Sequence, residues 1–149
     1  MDRFFKGFSA GVAGAIVMTI WDLIAFHFLD FSEHRYLDWS SVMLMGDRPN
    51  TLAEIIYSQF IHLIWSGFLG ITFAFLIIII GNKGLIIKGA IFGFISGFIF
   101  YAIPKLFKVI HLYDTPIESV MANHLGSVIW GLVTAYILRL LNNRYKEES

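Results

Sequence analysis

Four apolar runs, each long enough to cross a bilayer, are separated by shorter polar stretches: about Phe4 to Leu29, Leu52 to Ile80, Leu85 to Pro104 and Pro116 to Leu141. A hydrocarbon core of roughly 30 Å takes about 20 helical residues, and each run meets that length. In lipid the backbone must satisfy its own polar groups, which leaves helices or closed barrels. The stretch Leu76 to Ile80 is apolar at every position and lacks the alternation of a barrel strand. The pattern predicts an all-α polytopic membrane protein, a four-transmembrane-helix bundle in a single domain spanning residues 1–149. Gly81-Asn82-Lys83-Gly84 reads as a tight turn, because Gly and Asn accept left-handed backbone. The longer loop 30–50 carries Tyr36, Trp39, Met43 and Met45 among acidic and small residues. It is expected as an outer interfacial segment, where aromatic rings are favoured; folding back as a lid over the bundle is the alternative. Arg3 and Lys6 precede the first run as in a signal sequence. That run is too long for an h-region and no small-residue cleavage site follows, so it is read as an uncleaved span.

Composition agrees, with 57% hydrophobic and 15% charged residues, and the zero formal charge gives no reason to expect nucleic acid. The expected partner is the lipid bilayer, with a homo-oligomer or a larger membrane complex as further options. The absence of cysteine excludes disulfides, thiolate metal sites and covalent haem, and leaves histidine-ligated metal or haem b. Arg3, Lys6, Lys83, Lys88, Arg139, Arg144 and Lys146 fall on one side of the spans, against Arg35, Arg48, Lys105 and Lys108 on the other. By the positive-inside rule both termini are expected in the cytoplasm. All five histidines, His27, His34, His62, His111 and His124, then lie toward the outer side.

Several polar features have ordinary structural explanations. The small-residue rows Gly7, Gly11, Ala15 and Gly89, Gly93, Gly97, with Ser127, Gly131, Ala135, let helix backbones approach closely in lipid. Thr51-x-x-Glu54 and Thr115-Pro116-x-Glu118 match the capping box, which accounts for both carboxylates. His34 and His111 are expected in loops or at the interface, and Lys105 and Lys108 after Pro104 as residues snorkelling to headgroups. The chain also carries a weak parallel duplication. Lys6-Gly7-x-x-x-Gly11 echoes Lys88-Gly89-x-x-x-Gly93, and Thr51-x-x-Glu54 with His62 and Trp65 echoes Thr115-x-x-Glu118 with His124 and Trp130.

Asp22, His62 and His124 are harder to explain away. Counting at 1.5 Å per residue places all three at a similar depth of about 10 to 15 Å, on three different helices. As polar glue they would contribute about 1 kcal/mol or less per interhelical bond. As a site they offer three chemistries. Asp22, His62 and His124, with His27 or water as a fourth ligand, can bind a divalent metal ion. The same groups can relay protons or bind a transported solute. His62 and His124 can also be the axial ligands of haem b.

Short motifs resemble the YagU-like family of bacterial inner-membrane proteins. They are His62-Leu63-Ile64-Trp65-Ser66, Lys88-Gly89-Ala90, Glu118 through His124-Leu125 to Trp130, and Arg139-x-x-x-x-Asn143-Arg144, with Gly11 and Asp22 in the first span. The resemblance covers about two thirds of the chain and implies a multi-pass protein of the bacterial plasma membrane with no assigned catalytic residues. The expectation is therefore a non-enzymatic membrane protein with an outward-facing Asp/His/His site for metal-ion binding or proton-linked transport. A bis-histidine haem b electron-transfer subunit and a structural accessory subunit of a larger complex are the alternatives.

Overall fold

A computed structural model describes residues 2–147 as five helices: α1 (Arg3–His27), α2 (Tyr36–Met45), α3 (Leu52–Ile80), α4 (Leu85–Leu106) and α5 (Ile117–Glu147). All but α2 are long and apolar enough to cross a membrane, and their ends fall within a few residues of the hydropathy runs. Large apolar side chains face outward along these helices, among them Ile20, Phe60, Ile79, Ile87 and Phe98, which suits a lipid-facing surface. Arg144 and Lys146, counted above among the charges near the termini, lie outside the residues whose side chains are described.

Local signals set the helix ends. Thr51 accepts from the Glu54 amide at 3.2 Å while Glu54 accepts from the Thr51 amide at 3.2 Å, so the first capping box forms as expected. At the second, α5 begins at Ile117 and the Thr115 hydroxyl turns back to donate to the Leu112 carbonyl at 2.9 Å. Pro104 does not end α4, which runs on to Leu106, where Lys105 and Lys108 are exposed. Gly81 and Gly84, at φ 77° and 70°, make the turn between α3 and α4, a backbone that side chains disfavour.

The small-residue rows lock two helical hairpins. A Cβ at Gly11 would strike the Ser66 carbonyl and lie 3.0 Å from the Gly70 Cα; one at Gly93 would strike the Ser127 carbonyl and lie 3.1 Å from the Gly131 Cα. Gly7 likewise sits on Gly70 and Ala74 as Gly89 sits on Gly131 and Ala135. The duplication is therefore structural: α1 on α3 repeats as α4 on α5, with Ser66, Gly70 and Ala74 answering to Ser127, Gly131 and Ala135. This register corrects the sequence alignment of the second half. One turn before the serine, His62 corresponds to Asn123, not to His124.

The hairpins join through α1 and α5, whereas α3 and α4 barely touch. A two-fold relation between the hairpins would make those interfaces equivalent. In the closed one, the Trp130 indole wedges against α1 and donates to the Gly11 carbonyl at 2.9 Å. The position in α3 that answers to Trp130 is Leu69, which is too small to fill the same space. A cleft remains between α3 and α4.

The segment 30–50 folds back over the bundle. In α2, Tyr36, Leu37, Asp38, Trp39, Ser41 and Val42 are buried, so the lid alternative replaces an interfacial strip. Trp39 packs on Tyr101 with ring centroids 4.6 Å apart. The physical reason is polar as well as apolar, because the start of α2 is tied into the bundle by hydrogen bonds that its aromatic content does not reveal.

Candidate functional site

Asp22 lies near the end of α1 and is 5% exposed. One carboxylate oxygen accepts the Tyr36 amide at 3.1 Å, holding the first residue of α2, where a helix N-terminus favours negative charge. The other oxygen is buried with no hydrogen-bond partner. Tyr36 then reaches across the bundle: its hydroxyl donates to the Asn123 carbonyl at 2.8 Å and bonds to Ser127.

His62 stacks on the Tyr36 ring, with centroids 5.5 Å apart and planes at 13°. Its Nδ1 faces the Gln59 amide nitrogen at 3.5 Å, and that same nitrogen donates to Thr19 at 3.0 Å. An amide nitrogen only donates, so this contact is a hydrogen bond in the tautomer that carries the ring proton on Nε2. The His62 Nε2 is buried and has no partner.

That histidine borders the cleft between α3 and α4, whose cavity volume of about 30 Å³ leaves room for about one water. Tyr36 and Phe100 close its upper end, and Met18 and Trp130 form the floor. The walls are Ser66 and Leu69 on α3 and Gly93, Ser96 and Gly97 on α4.

The other expected site residues are elsewhere. His124 does not line the cleft: its Nδ1 donates to the Val120 carbonyl at 2.8 Å and its ring packs beside Phe94 and Tyr101. His27 is exposed against Phe26. Among the described residues no three histidine, aspartate or glutamate side chains group to hold a metal ion, so Asp22, His62, His124 and His27 are not brought together as one ligand set. The His62 and His124 rings lie against different aromatic neighbours, Tyr36 in one case and Tyr101 with Phe94 in the other.

Sequence reasoning missed Asn123, which is 1% exposed and donates to the His34 carbonyl at 3.3 Å and to the Tyr101 hydroxyl at 2.6 Å. Ser119, one turn earlier, accepts the Glu33 amide at 2.8 Å. The signal was present as Ser119-x-x-x-Asn123-x-x-x-Ser127, a polar stripe at helical spacing.

A second polar knot ties the lid to the loop before α5. His34 Nε2 lies 3.1 Å from the His111 carbonyl and against the Arg48 guanidinium, while His111 itself pairs with Asp47 at 3.6 Å. Burial first, and then Arg48, push His34 below the usual histidine value of 6.5; the His111 carbonyl, Asp38 and Glu33 oppose this. The closed lid thus holds His34 neutral where an open lid lets it protonate. Its contribution is complete above about pH 6.5 and is lost as pH falls below that value. Amide exchange across α2, corrected for intrinsic rates, is expected to quicken from pH 7.5 to about pH 5.5. His34→Gln should remove that pH dependence.

No family model matches this chain, and no curated protein or solved structure matches it either.

Proposed function

We propose that this is a non-enzymatic membrane protein that carries out proton-linked binding or transport, with Asp22 and His62 as its intramembrane polar groups. The observation that carries the reading is the pair of buried, unpartnered atoms, Asp22 Oδ1 and His62 Nε2, on residues that both contact Tyr36. Leaving a buried polar group unsatisfied costs about 1 to 3 kcal/mol, and such groups inside a membrane are kept for ions, protons or ligands. A carboxyl and an imidazole are the two common side chains that exchange protons in such settings. The cleft beside His62 has room for about one water, the smallest carrier of a proton.

The metal-ion version is less well supported because the four candidate ligands are dispersed, and the haem version because His124 lies away from the cleft. The charge bias of the loops supports cytoplasmic termini, and the YagU-like motifs support a bacterial plasma membrane location.

Proton flux into vesicles, driven by a potassium diffusion potential and followed with an internal pH dye, tests the proposal. Asp22→Asn retains an oxygen for the Tyr36 amide, and His62→Gln retains a polar side chain of similar size. Both are expected to reduce flux to the level of protein-free vesicles. Flux equal to wild type in both variants would remove the reading.

A further inference from the structure

The end of the bundle opposite the lid carries a cavity far from Asp22 and His62. It lies between the first turn of α4 and the last turns of α5, with a volume of about 520 Å³, within the range of about 300 to 1,000 Å³ of small-ligand sites. We infer that it binds the phosphate of an anionic phospholipid, with the Arg139 guanidinium as the charged contact. The site does not depend on the proposed function.

Three observations lead to that ligand. The first is an unspent cation. At this end Arg3 donates to the Ala74 carbonyl at 3.1 Å, Lys6 lies 3.4 Å from Asn142 Oδ1, and Lys88 caps α3 through the Ile80 and Gly81 carbonyls at 2.7 and 2.8 Å. Arg139 lines the cavity and has no hydrogen bond or ion pair with any described residue. Its planar fork of donors matches a phosphate, where a lysine offers a point charge.

The second observation is the sign of the lining. Asn82, Asn142 and Asn143 supply its other polar side chains, and none of the described residues around it is acidic. Helix α4 carries no acidic residue, and between Ile117 and Asn143 α5 carries only Glu118, at the lid end. Gly84 has no side chain to cap the first-turn amides of α4, so the backbone adds donors to the same wall. An anion is welcome on this lining, whereas the ammonium of a choline or ethanolamine headgroup finds no carboxylate.

The third observation is what adjoins the cavity. Ile87 lines it and is 68% exposed, and Tyr136, three residues before Arg139 and so on the same face of α5, is 53% exposed. A tyrosine in this position suits the headgroup boundary, and Ile91 and Leu132, exposed one turn deeper on the two helices, continue the apolar surface. A free phosphate has no use for that surface; a lipid lays its acyl chain along it. Basic pockets between transmembrane helices are a known form of anionic headgroup site.

The test is native mass spectrometry of the full chain, delipidated in detergent and titrated with dioleoyl phosphatidylglycerol or dioleoyl phosphatidylcholine. One phosphatidylglycerol per chain is expected to bind, about tenfold more tightly than phosphatidylcholine. Arg139→Gln removes a charge-assisted hydrogen bond and should weaken that first site about tenfold. Lys83→Gln removes the same charge from the adjacent turn, outside the cavity lining, and should leave binding unchanged. Both side chains are exposed, so neither substitution disturbs the packing of the bundle. Inorganic phosphate and glycerol phosphate, each at the concentration of the lipid, should not displace it. Equal weakening by Arg139→Gln and Lys83→Gln would reduce the effect to general surface charge and overturn the site. Displacement by either soluble phosphate would make it a soluble-anion site and overturn the lipid assignment, and phosphatidylcholine binding as tightly as phosphatidylglycerol would overturn the anionic headgroup. The proton-flux result for Asp22 and His62 stands or falls separately.

Discussion

Gly131→Val is expected to separate α4 from α5 and to be the most damaging single substitution in the chain. A Cβ at this position would run into the Gly89 carbonyl and lie 3.1 Å from the Gly93 Cα, so both obstacles are backbone. Neither can rotate aside, and the helices must move apart over a whole turn. Lipid supplies no hydrophobic drive to compensate, because the hairpin is held by close packing. Overpacking of this kind costs about 3 kcal/mol or more, which for a chain of this size lowers the thermal midpoint by roughly 10 °C. Gly126→Ala is the control. Its added Cβ would meet side chains, Trp21 at 3.1 Å and Met18 at 3.4 Å, and the gain in helix propensity of up to about 1 kcal/mol offsets the adjustment. Thermal unfolding in detergent, followed by tryptophan fluorescence, should show the large drop only for Gly131→Val. Equal midpoints for the two would mean that the backbone contact is not what holds the hairpin.

The spans, the Thr51–Glu54 cap and the small-residue rows were legible in the sequence because each depends on local spacing or on hydropathy. Tyr36 and Trp39 were not assignable in that way. Aromatic residues in an outer loop satisfy an interface as well as a buried lid, and the deciding contact is the Asp22 carboxylate on the Tyr36 amide, from a different helix. Asp22 and His62 are both buried and both touch Tyr36. His124 is half-buried beside Phe94 and Tyr101, and the reason is angular. Successive residues on a helix are rotated by about 100°, so a one-residue error in register turns a side chain from one neighbour to another. Aligning the capping boxes hid this, because the two segments between cap and serine differ in length, whereas the glycine contacts fix the register without ambiguity.

The cleft itself follows from an asymmetry that only the register exposes. Gene-level duplication of a hairpin would give two like interfaces, and here one is filled by Trp130 while its counterpart has Leu69. The side chains at the closed interface are large and hydrogen-bonded: Trp21 also donates, to the Ala122 carbonyl at 2.9 Å. The open interface keeps a histidine whose Nε2 has no partner, with Ser66, Gly93 and Gly97 around it.

Asn123→Leu is the second substitution expected to have a large effect, and its comparison with His124→Leu tests the register directly. Asn123 reaches both the lid segment, at the His34 carbonyl, and α4, at the Tyr101 hydroxyl. Leucine has similar bulk but no donor, so the His34 carbonyl and the Tyr101 hydroxyl each lose one of two partners, keeping the Ser32 hydroxyl at 2.7 Å and the Ser119 carbonyl at 3.3 Å. At about 0.5 to 1.5 kcal/mol for each bond lost, the expected loss is about 1 to 3 kcal/mol. It should fall first on α2, because the lid has no transmembrane span of its own to hold it. Hydrogen exchange across 36–45 should therefore accelerate before the spans are affected, with Trp39 fluorescence shifting as its packing on Tyr101 loosens. His124→Leu removes only a bond to a carbonyl of its own helix, on a half-buried ring, and should cost about 1 kcal/mol or less. If His124→Leu opened the lid and Asn123→Leu did not, His124 would be the true counterpart of His62, and the two-fold argument for the cleft would fail with it.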